Sequence, residues 1–153
     1  MKLYIPVILF LSTLLFSCGE EELDYTIPRA RVYFRVELSG RDNALKNQGH
    51  YEVFTEGRGD GEYIYVGYSG LIIFNHGLDD DYPLAAYDRC CPNEDSKTIT
   101  VTPNTQGKAV CNKCKSEFSL YTGQCLSGPA KERLQSYRVR RGTSQYEDFV
   151  FYN

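Results

Sequence analysis

Four of the six cysteines in this chain fall in two close-set pairs, and thiols at such spacing can do chemistry. Cys90 and Cys91 sit in Arg89-Cys-Cys-Pro-Asn93, and Cys111-Asn-Lys-Cys114 is a C-x-x-C. The interval from Cys91 to Cys111 is long enough for a β-hairpin to fold back and bring the pairs together. Short thiol-bearing loops at the tips of neighbouring hairpins are how all-β domains hold a zinc ion or an iron–sulfur cluster. The alternative is a disulfide framework, which an oxidising compartment would favour.

The elements that must position these loops read as strands. Arg31-Val-Tyr-Phe-Arg-Val-Glu-Leu38 alternates, with Val32, Phe34, Val36 and Leu38 on one face and Arg31, Tyr33, Arg35 and Glu37 on the other. Tyr51 to Thr55 and Glu62 to Tyr68 are further strand candidates, the second followed by a Ser69-Gly70 turn and Leu71-Ile-Ile-Phe74. Thr98 to Thr102 alternates, and Gln106-Gly107 turns into Lys108-Ala-Val110, which delivers Cys111. Tyr137-Arg-Val-Arg140 and Asp148-Phe-Val-Phe-Tyr152 close the chain. Thirteen Tyr and eight Phe, with no Trp, fit sheets in which aromatics pack across strands. No sustained helical stripe is present, so the expected class is all-β.

Three loops lie between these strands. Asn43 to Gly49 and Thr55 to Gly61 are polar and glycine-bearing, and read as hairpin connections. His76-Gly-Leu-Asp-Asp-Asp81 could offer carboxylates to a hard cation, but it lacks the alternating ligand spacing of a calcium loop and reads as a solvated turn.

The N-terminus points to export. Lys2 gives a short positive region, Leu3 to Phe16 is almost wholly apolar, and Glu20-Glu21-Glu22 ends the stretch before it reaches the roughly 20 residues of a membrane span. Leu15-Phe16-Ser17-Cys18 resembles the lipobox of bacterial lipoproteins, in which the Cys is lipidated; the alternative is an ordinary cleaved signal. The expected organisation is a signal peptide over residues 1–17, lipidated Cys18 and an acidic linker over 18–28, and one domain over 29–153. The linker's acidic run resembles a surface-transfer signal of Bacteroidetes-type lipoproteins, or is a plain solvated leash. Such a chain is anchored to the outer membrane, on the periplasmic or cell-surface side, without spanning it.

Residues 1–17 carry one charge, Lys2, so their removal leaves 16 basic against 20 acidic residues and takes the net charge from −3 to −4. That balance argues against nucleic acid or anionic headgroups as partners. The membrane, through the lipid on Cys18, is the one partner expected; no redox or protein partner can be named. No Ser–His–Asp set, paired-carboxylate cleft or phosphate-binding glycine loop is present, so no enzyme activity is expected.

Ala86-Tyr-Asp-Arg-Cys-Cys-Pro-Asn93, Val110-Cys-Asn-Lys-Cys-Lys-Ser-Glu-Phe-Ser-Leu120, Gly123, Gly128-Pro-Ala130, Leu134, Tyr137 and Val139, taken in order, resemble a Rieske iron–sulfur domain. In that family a C-x-H loop and a C-x-x-H loop each give one Cys and one His to a [2Fe–2S] cluster. A Phe-x-Leu strand, a Gly turn and a Gly-Pro-Ala segment near the cluster follow. The resemblance implies a Rieske-like antiparallel β-sandwich with two cysteine-bearing loops at one end. Cys91 and Cys111 fall on the family's cysteines, whereas Asn93 and Cys114 stand where its two histidines should be. Both histidines of the chain, His50 and His76, precede Cys91, so no register shift restores the pattern.

Three readings of the site remain. In the first, Cys91, Cys111 and Cys114 are thiolate ligands of a metal or [2Fe–2S] cluster, and Cys90 or Asn93 completes the set. Neighbouring residues in an extended strand point to opposite sides, so Cys90 joins Cys91 only through a turn, which Pro92 permits. Zinc would suit four thiolates at least as well as iron and sulfide. In the second, the domain has lost its cofactor, and a disulfide such as Cys111–Cys114 or Cys91–Cys111 fills the space. The third is a redox-active C-x-x-C, which lacks the strand-then-helix context of thioredoxin-like proteins. After lipidation Cys125 makes five cysteines, and an odd count leaves one thiol free, paired between molecules or on a metal. Tyr121 is implied by the family as a donor to a cluster sulfur, or is a half-buried sheet tyrosine. The expected function is a membrane-anchored Rieske-like lipoprotein binding a metal or cluster, with electron transfer as a role open to it; the alternative is a cofactor-free structural or interaction protein.

Overall fold

The computed structural model describes residues 25–58, 61, 63–143 and 147–153. The signal segment, Cys18 and the acidic run lie outside the described residues. Eleven strands are present among those described: β1 (Val32–Glu37), β2 (Tyr51–Phe54), β3 (Tyr65–Val66), β4 (Leu71–Asn75), β5 (Leu84–Asp88), β6 (Val101–Pro103), β7 (Lys108–Cys111), β8 (Glu117–Ser119), β9 (Cys125–Ser127), β10 (Ser136–Arg141) and β11 (Asp148–Tyr152). They form a seven-stranded sheet in the order β2-β4-β5-β10-β11-β1-β3 and a four-stranded sheet in the order β6-β7-β8-β9. Every pairing is antiparallel. The all-β expectation holds.

The burial of β1 alternates as its sequence does, with Val32, Phe34 and Val36 inside. Strand β4 differs: all five residues are buried. Leu71 and Ile73 belong to one core, with Phe34, Val36, Phe149 and Phe151, while Ile72 and Phe74 belong to a second, with Val101, Phe118 and Leu120. A continuous apolar run is what a strand covered on both faces requires. The four-stranded sheet therefore sits on the outer side of β4 and β5. Each buried side chain of this size contributes about 1.5–3 kcal/mol relative to exposure, so Ile72 and Phe74 are strong fastenings between the two sheets.

Three expectations change. Leu84–Asp88 is a strand that periodicity did not flag; its alanines have little intrinsic strand preference, and pairing with β4 and β10 imposes the extended form. Asn43–Lys46 is a 3-10 turn rather than a simple hairpin connection, because Leu45 is fully buried and its carbonyl accepts from Asn75 Nδ2 at 2.7 Å. The strand expected over Glu62 to Tyr68 contracts to Tyr65–Val66, and Glu62 lies outside the described residues. Among the described residues no helix is long and apolar enough to cross a membrane.

Candidate metal centre

Two loops meet at one end of the four-stranded sheet. The first joins β5 to β6 and carries Cys90 and Cys91; the second joins β7 to β8 and carries Cys114 just past Cys111, the last residue of β7. Register brings them together, since Val101 of β6 pairs with Cys111 of β7. Backbone bonds fix the first loop: Cys91 N donates to Ile99 O at 3.0 Å, Val101 N to Arg89 O at 2.8 Å, and Glu94 N to Cys91 O at 3.0 Å. The second loop closes through Cys111 N to Ser116 O at 2.9 Å and touches the first through Asn112 N to Thr100 O at 3.3 Å.

The result is a compact group of thiols. The sulfurs of Cys91, Cys111 and Cys114 all lie within 4.8 Å of one another, and those of Cys91 and Cys114 are 3.6 Å apart. Cys91 and Cys111 are fully buried, while Cys114 sits half-buried at the rim. All five cysteines among the described residues are free thiols.

Cys90 does not join the group. Its Sγ lies 3.4 Å from Ser96 O, and the residue forms a β-bridge with Thr100. An extended Cys90 sends its side chain away from that of Cys91. Pro92 turns the chain only after Cys91, so it does not bring Cys90 round. Asn93 is exposed, and its amide donates to Glu94 Oε1 at 3.2 Å. Cys125 begins β9, and its thiol donates to Ser127 O at 3.3 Å. Tyr121 presents its ring edge-on to Phe74 at a centroid distance of 4.9 Å, and a side chain at Gly107 would collide with it; this is packing.

The thiols are electrostatically unequal. Burial pushes the Cys91 thiol far above its ordinary value, and it raises Cys90 to about 11. Burial also acts on Cys114, but hydrogen bonds with Ser116, Cys111 and Cys91 outweigh it and hold that thiol below its usual value. Cys114 Sγ lies 3.2 Å from Ser116 Oγ, which in turn accepts from Ala130 N at 3.0 Å. A Cβ on Gly128 would sit 2.6 Å from Ser116 Cα, so the Gly128-Pro-Ala130 segment lies directly against the second loop. Gly128 also has φ of +97°, a conformation that glycine adopts without strain.

Two residues that the sequence reading did not single out complete the rim. Glu94 and Lys113 form an ion pair at 2.6 Å that ties the first loop to the second. Lys113, then Asn93 and the Cys114 thiol, draw the Glu94 carboxyl below its usual range. The signal was available: Cys91-Pro-Asn-Glu94 repeats the i, i+3 spacing of Cys111-Asn-Lys-Cys114.

Three sulfurs at these separations suit one ion. A Zn–S bond of about 2.3 Å in tetrahedral geometry places neighbouring sulfurs roughly 3.8 Å apart. A [2Fe–2S] cluster instead takes four protein ligands, two on each of two irons at opposite ends. Among the described residues three thiols converge on one point and Cys90 faces elsewhere, so this donor set does not fit that cluster.

No protein-family model matches the chain, and no curated protein does. Among solved structures the chain is similar to a protein assigned as an NADH-dependent nitrite reductase small subunit from Mycobacterium tuberculosis. The two share 16% identity at a TM-score of 0.43, over 80% of this chain and 96% of that one.

Proposed function

We propose that this protein is an exported, lipid-anchored β-domain, Rieske-like in its order of motifs, whose two cysteine loops hold a metal through Cys91, Cys111 and Cys114. It is a binding protein rather than an enzyme. The convergence of those three sulfurs within 4.8 Å carries the reading. A cation bound between them would favour the thiolate forms of all three sulfurs, so that metal binding is coupled to loss of their protons. The Leu15-Phe16-Ser17-Cys18 motif supports the anchor. The missing fourth cysteine ligand turns the reading from the cluster chemistry of the Rieske resemblance to a bound ion.

Metal analysis of anaerobically purified protein, with its visible absorption spectrum, tests the proposal. The expected outcome is about one bound metal and all of its non-lipidated thiols recovered after chelation. Metal-free protein with missing thiols would favour the second reading, a domain stitched by a disulfide. The 3.6 Å between the Cys91 and Cys114 sulfurs favours that pair for such a bond. For the anchor, Cys18→Ser should abolish partitioning into detergent, because one cysteine carries the whole lipid attachment. A variant that still partitioned like the native form would rule the anchor out.

A further inference from the structure

We propose that the open half of the seven-stranded sheet's outer face is a docking seat for the chain's own acidic segment, Glu20 to Asp24. The seat stands apart from the metal-binding reading above. The four-stranded sheet covers the outer side of β4 and β5. On β10, β11, β1 and β3 that side is open: Arg31, Tyr65, Arg138 and Arg140 are exposed, and Tyr33 and Tyr152 are half-buried. Register sets these side chains in rows. Arg138 pairs with Tyr152, Tyr152 with Tyr33, and Tyr33 with Tyr65; beside them, Arg140 pairs with Val150, and Val150 with Arg35. Ring contacts hold the face in shape. Tyr63 stacks on Tyr33 with ring centroids 4.8 Å apart, and the Arg31 guanidinium lies 4.2 Å from the centroid of the Tyr65 ring. Tyrosines and arginines fixed in this way are what strong docking surfaces present.

The charges on this face are not balanced within it. Asp148 meets Arg35 at 2.8 Å, but among the described residues the guanidiniums of Arg138 and Arg140 make no ion pair or hydrogen bond. A cationic face on a chain of net charge −3 fits carboxylates, which guanidinium groups bind in a fork. The chain itself supplies them close by. Glu20, Glu21, Glu22 and Asp24 lie outside the described residues, which begin at Tyr25. Tyr25 is fixed at the edge of the face: its hydroxyl lies 3.3 Å from Ser136 Oγ, Thr26 N donates to Glu132 Oε2 at 2.9 Å, and Ile27 is buried. Ser136 opens β10, and it shares a side of that strand with Arg138 and Arg140, since Tyr137 and Val139 turn into the core. Five extended residues reach about 17 Å, whereas Ser136 to Arg140 spans about 13 Å of strand. Tethering next to the face keeps the local concentration of carboxylates high, so ion pairs that are weak singly become populated. Only Gly19 separates the acidic run from Cys18. One consequence, which rests on the anchor reading, is that this face of the domain is the one turned to the membrane.

Zero-length cross-linking of the purified protein tests the seat. Arg138→Lys and Arg140→Lys each keep the charge and introduce an amine. Carbodiimide should join that amine to Glu20, Glu21, Glu22 or Asp24 of the same chain, in higher yield than any of the other lysines, as mass spectrometry of the monomer would show. Chymotryptic cleavage after Leu23 gives a second measurement. Arg138→Glu with Arg140→Glu should speed that cleavage about fivefold, the scale of two exposed ion pairs. Adding Glu21→Lys and Glu22→Lys to that background should slow it again, because the pairs re-form with their signs exchanged. Cross-links spread evenly over the other lysines, cross-links only between chains, or cleavage indifferent to the charge reversal would each overturn the seat. The same intrachain links in protein that carries no lipid on Cys18 would support the seat and overturn only the orientation towards the membrane.

Discussion

The hydroxyl of Tyr137, on β10, donates at 2.7 Å to the carboxylate of Asp88, the buried last residue of β5. That carboxylate also accepts from Tyr68 N at 2.7 Å, Ser69 N at 3.1 Å and Cys90 N at 2.8 Å. One side chain thus fastens the turn before β4, the adjoining strand β10 and the start of the first cysteine loop. Gly67 allows it: at φ of +80°, a Cβ there would lie 2.6 Å from both Asp88 Oδ2 and Tyr137 Oη. Asp88→Ala strands four donors, of which those of Cys90 and Tyr137 are buried and those of Tyr68 and Ser69 part-buried, and a buried donor left unmet costs about 1–3 kcal/mol. Partial relaxation leaves an expected loss on the order of 3 kcal/mol in urea unfolding. Metal affinity should fall too, because the loop entering at Cys90 loses its anchor. Unchanged stability would mean that water replaces the carboxylate fully.

The same pair sets a pH dependence. Burial, and then the Asp88 charge, raise the Tyr137 phenol well above its ordinary value, so the fold holds its proton more tightly than the unfolded chain does. Stability from this group is therefore complete below the unfolded value of about 10 and is lost progressively above it. Tyr137→Phe should cost about 1 kcal/mol at pH 8 through the lost hydrogen bond. It should also lose less than the native protein on going to alkaline pH. Parallel urea midpoints at the two conditions decide the matter, and identical alkaline losses in both proteins would contradict it.

Far from the cysteines, Arg58 forks onto the buried carboxylate of Asp42, with Nη1 at 2.8 Å from Oδ2 and Nη2 on Oδ1. The guanidinium lies 4.9 Å from the ring centroids of both Phe34 and Phe54. Asp42 Oδ2 also accepts from Glu37 N at 2.8 Å. Asp42→Ala leaves a largely buried cation between two aromatic rings, and an expected cost of about 3–5 kcal/mol follows. Chemical denaturation checks this, and a loss under about 1 kcal/mol would show the arginine escaping to solvent. Metal content should not change.

The cysteine series separates ligands from bystanders. Cys91→Ser, Cys111→Ser and Cys114→Ser should each lose the metal at stoichiometric loading, because binding drops steeply when one donor is removed. Cys90→Ser and Cys125→Ser should keep it, since the Cys90 thiol faces Ser96 O and the Cys125 thiol faces Ser127 O. Loss of metal from Cys90→Ser would mean that the first loop reorganises on binding. Full occupancy in Cys114→Ser would remove that residue from the shell.

What was legible in the sequence had local causes. The alternation of Arg31 to Leu38 fixes which face of β1 is buried, because side chains of a strand alternate whatever the partner. The C-x-x-C and the Cys90-Cys91 pair marked the two loops, and the turn at Gln106-Gly107 placed the return into Cys111. The i, i+3 spacing of Cys91 and Glu94 was also written there, but a single glutamate in a polar loop says nothing until a partner faces it.

The rest depended on residues distant in the chain. Leu84–Asp88 is a strand because β4 and β10 flank it, and no pattern within five residues encodes that. Whether Cys90 or Cys91 faces the thiol cluster turns on the bridge from Cys90 to Thr100, a long-range pairing. Asp88 joins its segments through Tyr68 and Ser69, some 20 residues before it, and through Tyr137, 49 residues further on. The sequence by itself determined the kind of fold and the chemistry on offer, since strand periodicity and thiol donors are properties of the residues. Which donors meet, and which acid is buried among donors, only the tertiary structure decided, because register and burial arise from contacts between segments rather than within them.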